Sequence, residues 1–368
     1  MKPRLLLVSR KWPPAVGGME TYSVELASSL DQHFDVEMLV LPGRPDGHTP
    51  SLVAYACFVL KAMMVCLFRG RGFAHVVFGD LVLFPAAVCH WLVARGHRRV
   101  VVVYGLDLVY QSRPGLLPAA YALFFRAFRS CQRIFVAIVA ISRHTADLAR
   151  SAGLREVVVV SPSLPASDLT QADAVPAELP AAWENASTRI LYFGRLVPRK
   201  GALWFARSVM PHLDGTVHFF VVGQSSDTGY RDQLQQCDRT HCLGRLESAS
   251  LAALIRAADV VVMPNVPTPD AIDVEGFGLA AIEATSLGGR LIASRIDGIQ
   301  DAVVDGVTGT LVEPADADAW VKAVSRSLES MATEVPERRA AIAGATRAAY
   351  SRTVQADAFQ RLLQPTPS

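Results

Sequence analysis

Short apolar runs alternate with helix-forming segments along almost the whole chain. Continuous apolar runs of this length are typical of strands buried on both faces of a parallel sheet. We predict strands at Leu5–Ser9, Val36–Leu41, Ala74–Phe78, Arg99–Tyr104, Arg133–Ile141, Val157–Val160, Arg189–Phe193, Val217–Val222, Val260–Met263 and Leu291–Ser294. The regular alternation of such strands with helices predicts an α/β fold, built as two Rossmann-like domains facing a cleft.

Two series of these elements are separated by residues 163–187, which lack apolar periodicity and contain three prolines. This composition is typical of an interdomain linker. We therefore predict an N-terminal domain at residues 1–162 and a C-terminal domain at residues 188–345. Residues 346–368 form a predicted helical tail, which we expect to pack back on the N-terminal domain.

The bulk composition is that of a globular protein with substantial cores. Of the 368 residues, 51% are hydrophobic and 19% are charged, which excludes a disordered or fibrous chain. Residues 1–162 contain 18 Lys and Arg and 10 Asp and Glu, a formal charge of +8, so the remaining residues balance at −6. A basic half beside an acidic half argues against a general nucleic-acid binder. It favours a first domain that faces an anionic surface or substrate.

The sequence also bears on the cellular compartment and on metal binding. Only four consecutive apolar residues, Leu5 to Val8, stand near the N-terminus, too few for the apolar region of a signal peptide. The six cysteines include no CxxC pair, so we expect a cytoplasmic protein with buried thiols. Cys237, His241 and Cys242 fit no zinc spacing. The sequence therefore predicts no metal site and no bound cofactor.

Two stretches are apolar enough to compare with membrane spans. Leu52–Phe68 is about 17 residues long, the lower limit for a span, and Lys61 lies in its middle. Val76–Ala94 contains Asp80 and Pro85. We predict no transmembrane helix from either stretch. Both are followed by arginines, and Leu52–Phe68 fits a helix at the lipid interface as well as it fits a buried helix.

The most informative segment is AIDVEGFGLAAIE at residues 271–283, in which Glu275 and Glu283 stand eight residues apart. A helix is predicted directly after its glycine loop, and such a helix directs free N–H groups at a phosphate. Glu283, one turn inside that helix, can accept hydrogen bonds from sugar or ribose hydroxyls. The loop residues that would approach a ligand are Gly276, Phe277, Gly278 and Leu279. Alone, the segment fits an amphipathic helix after a glycine loop equally well.

Further candidates stand at the ends of predicted strands. They are Gly17 and Gly18, Arg195 and Lys200, and Gly223 with Leu246. Gly17 and Gly18 follow the first strand and precede a helix, where backbone can approach a diphosphate. Arg195 and Lys200 follow the strand Arg189–Phe193 and can supply positive charge to an anionic group. Each segment alone also fits an ordinary surface turn.

Together, these segments resemble the retaining GT-B glycosyltransferases of family 4 (glycosyl transferases group 1). The E-x7-E pair, the early glycine pair and the G-R-x4-K-G segment occur in the family's order, and the resemblance runs from Leu5 to about Val312. It implies that Glu283 holds the ribose and Glu275 the sugar hydroxyls of a nucleotide-diphosphate sugar. It also implies that Arg195 and Lys200 stabilise the diphosphate leaving group without a metal.

Two segments depart from the family's pattern. Many members have His-Gly-x-Asp/Glu near the reacting sugar, where this chain has Tyr104-Gly105-Leu106-Asp107. Asp107 keeps the acidic position, but a tyrosine with a pKa near 10 is a poor base at neutral pH. Tyr104 can still donate a hydrogen bond to the donor, so both residues are catalytic candidates. Residues 161–164 replace the usual Pro-Asn-Gly-Val-Asp, which we expect to change only the hinge.

The resemblance implies an enzyme that transfers a sugar, with retention, from a nucleotide sugar to a glycan or lipid-linked acceptor, in bacterial surface-polysaccharide assembly. We expect the acceptor on the basic N-terminal domain, which would lie against the inner face of an anionic membrane. Tyr104 keeps open a second hypothesis, a catalytically silent scaffold that binds a nucleotide sugar or a partner. A nucleotide-sugar epimerase of GT-B type is the third. A dinucleotide dehydrogenase is disfavoured because the chain lacks the GxGxxG fingerprint.

Overall fold

The computed structural model describes residues 2–45, 47–165, 181–225, 227–268, 273–331 and 337–364. The chain divides into two compact units, one comprising Met1–Pro165 with Tyr350–Ser368 and the other Ala166–Ala349. Each unit contains a six-stranded sheet whose neighbouring strands are parallel. The predicted α/β fold with two Rossmann-like domains is therefore confirmed. Residues 166–180, the larger part of the predicted linker, lie outside the described residues.

The first unit has helices on both faces of its sheet. Its elements are β1 (Arg4–Trp12), α1 (Gly18–Leu30), β2 (Asp35–Pro42), α2 (Leu52–Arg69), β3 (His75–Phe78), α3 (Phe84–Val93), β4 (Arg98–Val103), α4 (Leu106–Val109), α5 (Leu116–Cys131), β5 (Ala137–Ala140), α6 (Arg143–Ser151) and β6 (Val157–Val159). The strand order is β2-β1-β3-β4-β5-β6. Because parallel crossovers are right-handed, the reversal after β2 puts α1 on one face and α2, α3, α5 and α6 on the other.

The second unit repeats this architecture. Its elements are α7 (Ala181–Asn185), β7 (Thr188–Phe193), α8 (Ala202–Ser208), β8 (Val217–Val222), α9 (Thr228–Gln235), β9 (Thr240–Gly244), α10 (Ser248–Ala257), β10 (Val260–Met263), α11 (Leu279–Ser286), β11 (Leu291–Ser294), α12 (Ile299–Ala302), β12 (Gly309–Val312), α13 (Ala317–Met331) and α14 (Glu337–Ala349). The strand order is β12-β11-β10-β7-β8-β9. Candidate residues follow the four strands β7 to β10. Because these strands are parallel, they all end at the same edge of the sheet.

The last helix, α15 (Arg352–Leu363), belongs to the first unit. Arg352 Nε lies 2.7 Å from a carboxylate oxygen of the buried Glu25 on α1. Asp357 accepts a bond of 2.7 Å from the imidazole of His33, and the ring of Phe359 is fully buried. The predicted tail begins at residue 346, inside α14, whereas the structure keeps α14 with the second unit because its side chains pack against α11.

Three local predictions are wrong. The thiols are not all buried, since Cys57 and Cys131 are exposed. The predicted strand Arg133–Ile141 begins too early, because Phe135 N donates to Gln132 O at 3.0 Å in a 3₁₀ turn and β5 starts at Ala137. The predicted linker also includes α7, which the structure anchors through Trp183, whose ring centroid lies 4.7 Å from that of Phe220. A five-residue helix held by one aromatic side chain is too short to give a periodic pattern.

Helix α2 is the only one in the described parts of the chain that is long and apolar enough to cross a membrane. Phe58, Ala62 and Cys66 on one side of α2 are buried in the core of the first unit. The opposite side is exposed and still apolar, for example at Leu60 and Met64. Of the two alternatives that the sequence left open for this helix, burial in the core therefore holds for one side of α2 alone.

Candidate functional site

From residue 273 onward, the segment that contains Glu275 and Glu283 forms the predicted loop and helix. Glu275 lies in the loop after β10, and α11 places Glu283 one turn inside the helix. Gly278 is the N-cap of α11 with a φ of 97°, a left-handed conformation that glycine adopts without strain. Phe277 beside it is 2% exposed, so its ring anchors the loop in the core. The N-terminus of α11 thus follows directly on the glycine loop, as an anion site requires.

Two cations hold the carboxylate of Glu275. Its Oε2 lies 2.6 Å from Arg199 Nη1 and 2.6 Å from Lys200 Nζ. Asn265 Nδ2 donates to the same oxygen at 3.4 Å. Burial alone would raise the pKa of Glu275, but Lys200 and Arg199 outweigh it and bring the pKa to about 2. Glu275 is therefore ionised at neutral pH.

Several further charged residues surround the carboxylate of Glu275. Arg199 also donates from Nε to Asp273 at 2.9 Å, and Arg195 is exposed but close enough to lower the pKa of Lys200. Burial is the main cause that lowers the pKa of the Lys200 ammonium, and Glu275 opposes it. Three cations thus lie in this cluster beside the carboxylates of Asp273, Glu275 and Asp297, whose Oδ2 accepts from Glu275 N at 3.0 Å. Cations at this sheet edge can attract a bound anion.

Glu283 has a different environment from Glu275. It makes no salt bridge with any described residue, and burial raises its pKa to about 7 against the opposing effect of Lys200. In the absence of ligand its carboxyl group is partly protonated at neutral pH. Hydroxyl donors that bind the ionised form would lower this pKa again.

The affinity for a nucleoside diphosphate should therefore depend on pH through Glu283. If ribose hydroxyls donate to the carboxylate, binding releases its proton, and we expect binding about tenfold weaker at pH 6 than at pH 8. Glu283→Gln should bind more weakly at pH 8 and should lose this part of the pH dependence. Titration calorimetry of both proteins at the two pH values measures the difference, and parallel profiles would remove Glu283 from ribose binding.

Gly223 and Leu246 follow β8 and β9 at the same sheet edge as Lys200 and Glu275. Gly223 has a φ of 153°, and a Cβ at this position would lie 1.9 Å from the carbonyl oxygen of Gly194. Only glycine fits there, because two strand ends approach each other at backbone distance. Leu246 is half-buried. The structure thus gathers all the predicted donor-site residues of the second unit at one sheet edge, where α/β proteins bind ligands.

The other candidates lie at the corresponding edge of the first sheet. Gly17 is the N-cap of α1, and Gly18 is its first residue. Asp107 follows β4, and its Oδ1 accepts from the backbone N of Tyr104 at 3.1 Å and of Gly105 at 2.9 Å. Burial raises the pKa of Asp107 to about 7, against these hydrogen bonds. Asp107 therefore shapes the turn after β4 and can change protonation near neutral pH.

Tyr104 cannot act as a base in this environment. Its side chain is 7% exposed, and its ring lies edge-on to that of Tyr22 with centroids 5.4 Å apart. Burial raises the pKa of the phenol well above its ordinary value. The hydroxyl therefore stays protonated at neutral pH, and it is buried without a hydrogen-bond partner among the described residues.

The sequence analysis did not predict several polar residues that lie beside the candidate residues of the two units. In the first unit, Arg10 Nε lies 2.6 Å from Asp80 Oδ2, and Tyr121 donates to the carbonyl oxygen of Asp107 at 2.9 Å. In the second unit the missed residues are Arg199 and Asn265. A usable signal existed for the two arginines, since Arg10 stands at the end of a strand and Arg199 directly precedes Lys200.

Two parallel-sheet Rossmann-like units, with a glycine loop and a cationic cluster at one sheet edge, define the GT-B class of fold. Sucrose-phosphate synthase from Thermosynechococcus elongatus superimposes with a TM-score of 0.71 at 18% identity, over 98% of each chain. Anabaena HepE in complex with UDP and glucose gives a TM-score of 0.64 at 18% identity, over 98% of this chain and 100% of that one. At these identities the likeness establishes the fold.

Sequence comparison finds relatives of the second unit. Residues 187–330 match the model of the family described as Glycosyl transferases group 1. D-inositol 3-phosphate glycosyltransferase from Mycobacterium ulcerans is 31% identical over 201 residues, which are 52% of this chain and 40% of that protein. The matched segment thus spans less than half the length of this relative. The protein has the GT-B fold, and its residues 187–330 are similar to the glycosyl transferases group 1 family.

Proposed function

We propose that the protein is a glycosyltransferase that uses a nucleotide-diphosphate sugar as donor. The observation that carries this proposal is the ion cluster of Arg199, Lys200 and Glu275 beside the glycine loop and the N-terminus of α11. It combines an anion site with carboxylates that can accept sugar hydroxyls. The family of residues 187–330 and the sugar-transferring relatives support the same function.

In this proposal, different residues of the second unit bind different parts of the donor. The diphosphate would lie at the loop Gly276–Gly278, where free N–H groups of α11 point at it. Glu283 would accept bonds from the ribose, and Glu275, ionised by its two cations, would accept bonds from the sugar. Lys200 and Arg195 would stabilise the charge that develops on the departing diphosphate. This gives positive charge to the leaving group without a divalent ion, and we propose transfer with retention.

The first unit would take the acceptor. Its edge offers Arg10, Asp80, Tyr104 and Asp107 to a polar molecule, and its formal charge is positive. We propose a glycan or lipid-linked acceptor in surface-polysaccharide assembly, at a cytoplasmic location. Asp107, with a pKa near neutrality, can take up the proton that the acceptor hydroxyl loses.

The test is turnover of UDP-glucose, UDP-N-acetylglucosamine and GDP-mannose with alkyl glycosides as acceptors, in the presence of excess EDTA. Release of nucleoside diphosphate together with an α-linked product, identified by proton NMR, is the expected result. Loss of turnover in EDTA that magnesium restores would contradict the metal-free mechanism. An isomerised nucleotide sugar formed without any acceptor would indicate an epimerase.

Tyr104→Phe tests whether the hydroxyl of Tyr104 supplies only a hydrogen bond. Since the phenol stays protonated, we expect the substitution to remove one neutral hydrogen bond and to lower turnover no more than about tenfold. Asp107→Asn should lower turnover further, because the amide cannot accept the proton. The rates of both variants, measured beside donor affinity, check this order. A Tyr104→Phe protein that binds donor normally but has no turnover would contradict it.

A further inference from the structure

The outer surface of one helix layer in the first unit is apolar. Its exposed large hydrophobic side chains are Leu52, Val53, Leu60, Met64, Leu67 and Phe68 on α2, Leu92 on α3, and Leu116, Leu117 and Leu123 on α5. We call these ten residues the apolar face. In the described parts of the second unit, such side chains occur at Val304 and Val307. Large exposed apolar patches on soluble proteins mark interaction surfaces.

The three helices form one continuous layer on the same face of the sheet. Helix α2 packs against α3, and the ring of Phe84 on α3 lies 6.0 Å and 5.5 Å from those of Phe124 and Phe128 on α5. On α2, Leu60, Met64 and Leu67 follow the spacing of a single helix face. That face points away from the core.

The charge around the apolar face is almost entirely positive. Residues 47–146 contain eleven Lys and Arg but only two acidic residues, Asp80 and Asp107, and neither of these is exposed. The exposed basic side chains on the three helices and just after them are Lys61, Arg69, Arg71, Arg95, Arg126, Arg129 and Arg133. Arg69 forms an ion pair with Glu37 at 2.9 Å. An apolar surface bordered by cations is complementary to an anionic lipid surface.

We propose that α2, α3 and α5 dock the protein on an anionic membrane surface, with the apolar face in the lipid interface. A transmembrane arrangement does not fit, because Phe58, Ala62 and Cys66 of α2 belong to the protein core. A second copy of the chain does not fit either, because two surfaces with many cations and no exposed acidic side chain between residues 47 and 146 repel each other. Lipid supplies both the apolar phase and the anions.

The membrane surface would lie next to the polar residues of the first unit. Near the start of α2, the ring of Tyr55 lies 4.9 Å from the guanidinium carbon of Arg10. On α5, Tyr121 donates to the carbonyl oxygen of Asp107. Docking would therefore present the headgroup of a lipid-linked acceptor to this edge of the sheet, a consequence that rests on the proposed transferase function. The docking itself does not depend on catalysis.

Vesicle co-sedimentation of the full chain tests the docking. The vesicles are phosphatidylcholine alone or equal parts phosphatidylcholine and phosphatidylglycerol, at about 0.1 M and about 0.5 M salt. We expect binding to the anionic vesicles at the lower salt. The double variant Leu60→Glu/Met64→Glu should lower the partition coefficient at least about tenfold, because two charges enter the interface. Leu116→Glu/Leu117→Glu tests α5 independently.

The matched control is Val304→Glu/Val307→Glu, which adds the same charges to exposed apolar positions of the second unit. It should bind as the unchanged protein does, and thermal melting checks that each variant is folded. Absence of binding, or binding that neither salt nor the α2 and α5 variants reduce, overturns the proposal. Light scattering that shows a dimer which the α2 variant dissolves would assign the apolar face to a second copy instead. None of these measurements requires sugar transfer, so the docking can be tested even if the proposed transferase function is wrong.

Discussion

Lys200→Met should lower the rate of sugar transfer by about 10²–10³-fold, the effect typical of removing one donor that stabilises charge in a transition state. The ammonium of Lys200 lies 2.6 Å from Glu275 at the sheet edge where the diphosphate is expected. Loss of this ammonium should change the stability of the fold far less than it changes the rate, because Arg199 still pairs with Glu275. Steady-state kinetics with the active donor, beside a urea unfolding curve, measures both effects.

Two control variants interpret this result. Lys200→Arg keeps the positive charge and should recover part of the rate, whereas Lys322→Met removes an exposed lysine from α13 and should change neither rate nor stability. If Lys200→Met kept more than about a tenth of the rate, the leaving-group role of Lys200 would be wrong. If it unfolded the protein, Lys200 would instead belong to the structural core of the cluster.

Arg199→Met should affect the stability of the fold more strongly than Lys200→Met does. We expect it to lower the free energy of unfolding by about 3–5 kcal/mol, as is typical when one partner of a buried ion pair is removed. Arg199 donates to both Glu275 and Asp273, and its carbonyl oxygen accepts from Val266 N at 2.9 Å. It therefore ties the segment after β7 to the loop after β10. Without it, Asp273 loses its partner and Glu275 keeps only Lys200 as a cationic partner.

The matched control is Arg207→Met on α8, where the guanidinium is exposed and donates to Gln233. Its free energy of unfolding should change by less than about 0.5 kcal/mol, as for most surface substitutions. Urea denaturation of the three proteins at pH 7 gives the comparison. Equal stability of Arg199→Met and Arg207→Met would show that Arg199 does not hold the loop.

The fold follows from the sequence because buried parallel strands leave a strong pattern. Val260–Met263 is apolar throughout and Val217–Val222 is apolar except at His218, and their predicted bounds equal the observed ones. Elements held by one or two long-range contacts leave no such pattern. The helix at Ala181–Asn185 depends on Trp183 packing against Phe220, which is distant in sequence. Helix α5 was also missed, because Leu116, Leu117 and Leu123 on its outer side weaken the alternation of polar and apolar faces that predicts a surface helix.

The candidate site was only partly predictable for a related reason. Glycine loops and the spacing of Glu275 and Glu283 are local features, and the structure places both glutamates as expected. Which cation pairs with which carboxylate depends on loop packing. The structure pairs Glu275 with Arg199 as well as Lys200 and leaves Arg195 exposed. The difference in pKa between Glu275 and Glu283 likewise comes from burial and from those two cations, which spacing alone does not determine.

Binding of nucleoside diphosphates tests the central claim most directly. Titration calorimetry with UDP, GDP and ADP at pH 8 in excess EDTA should show one of them binding at a single site, and Glu283→Gln should weaken that binding by about 1.5–3 kcal/mol. The same ligand at about 100 times its dissociation constant should stabilise the protein by about 2.7 kcal/mol against unfolding. Absence of binding by all three nucleotides, in a protein shown to be folded, would contradict the proposed donor site.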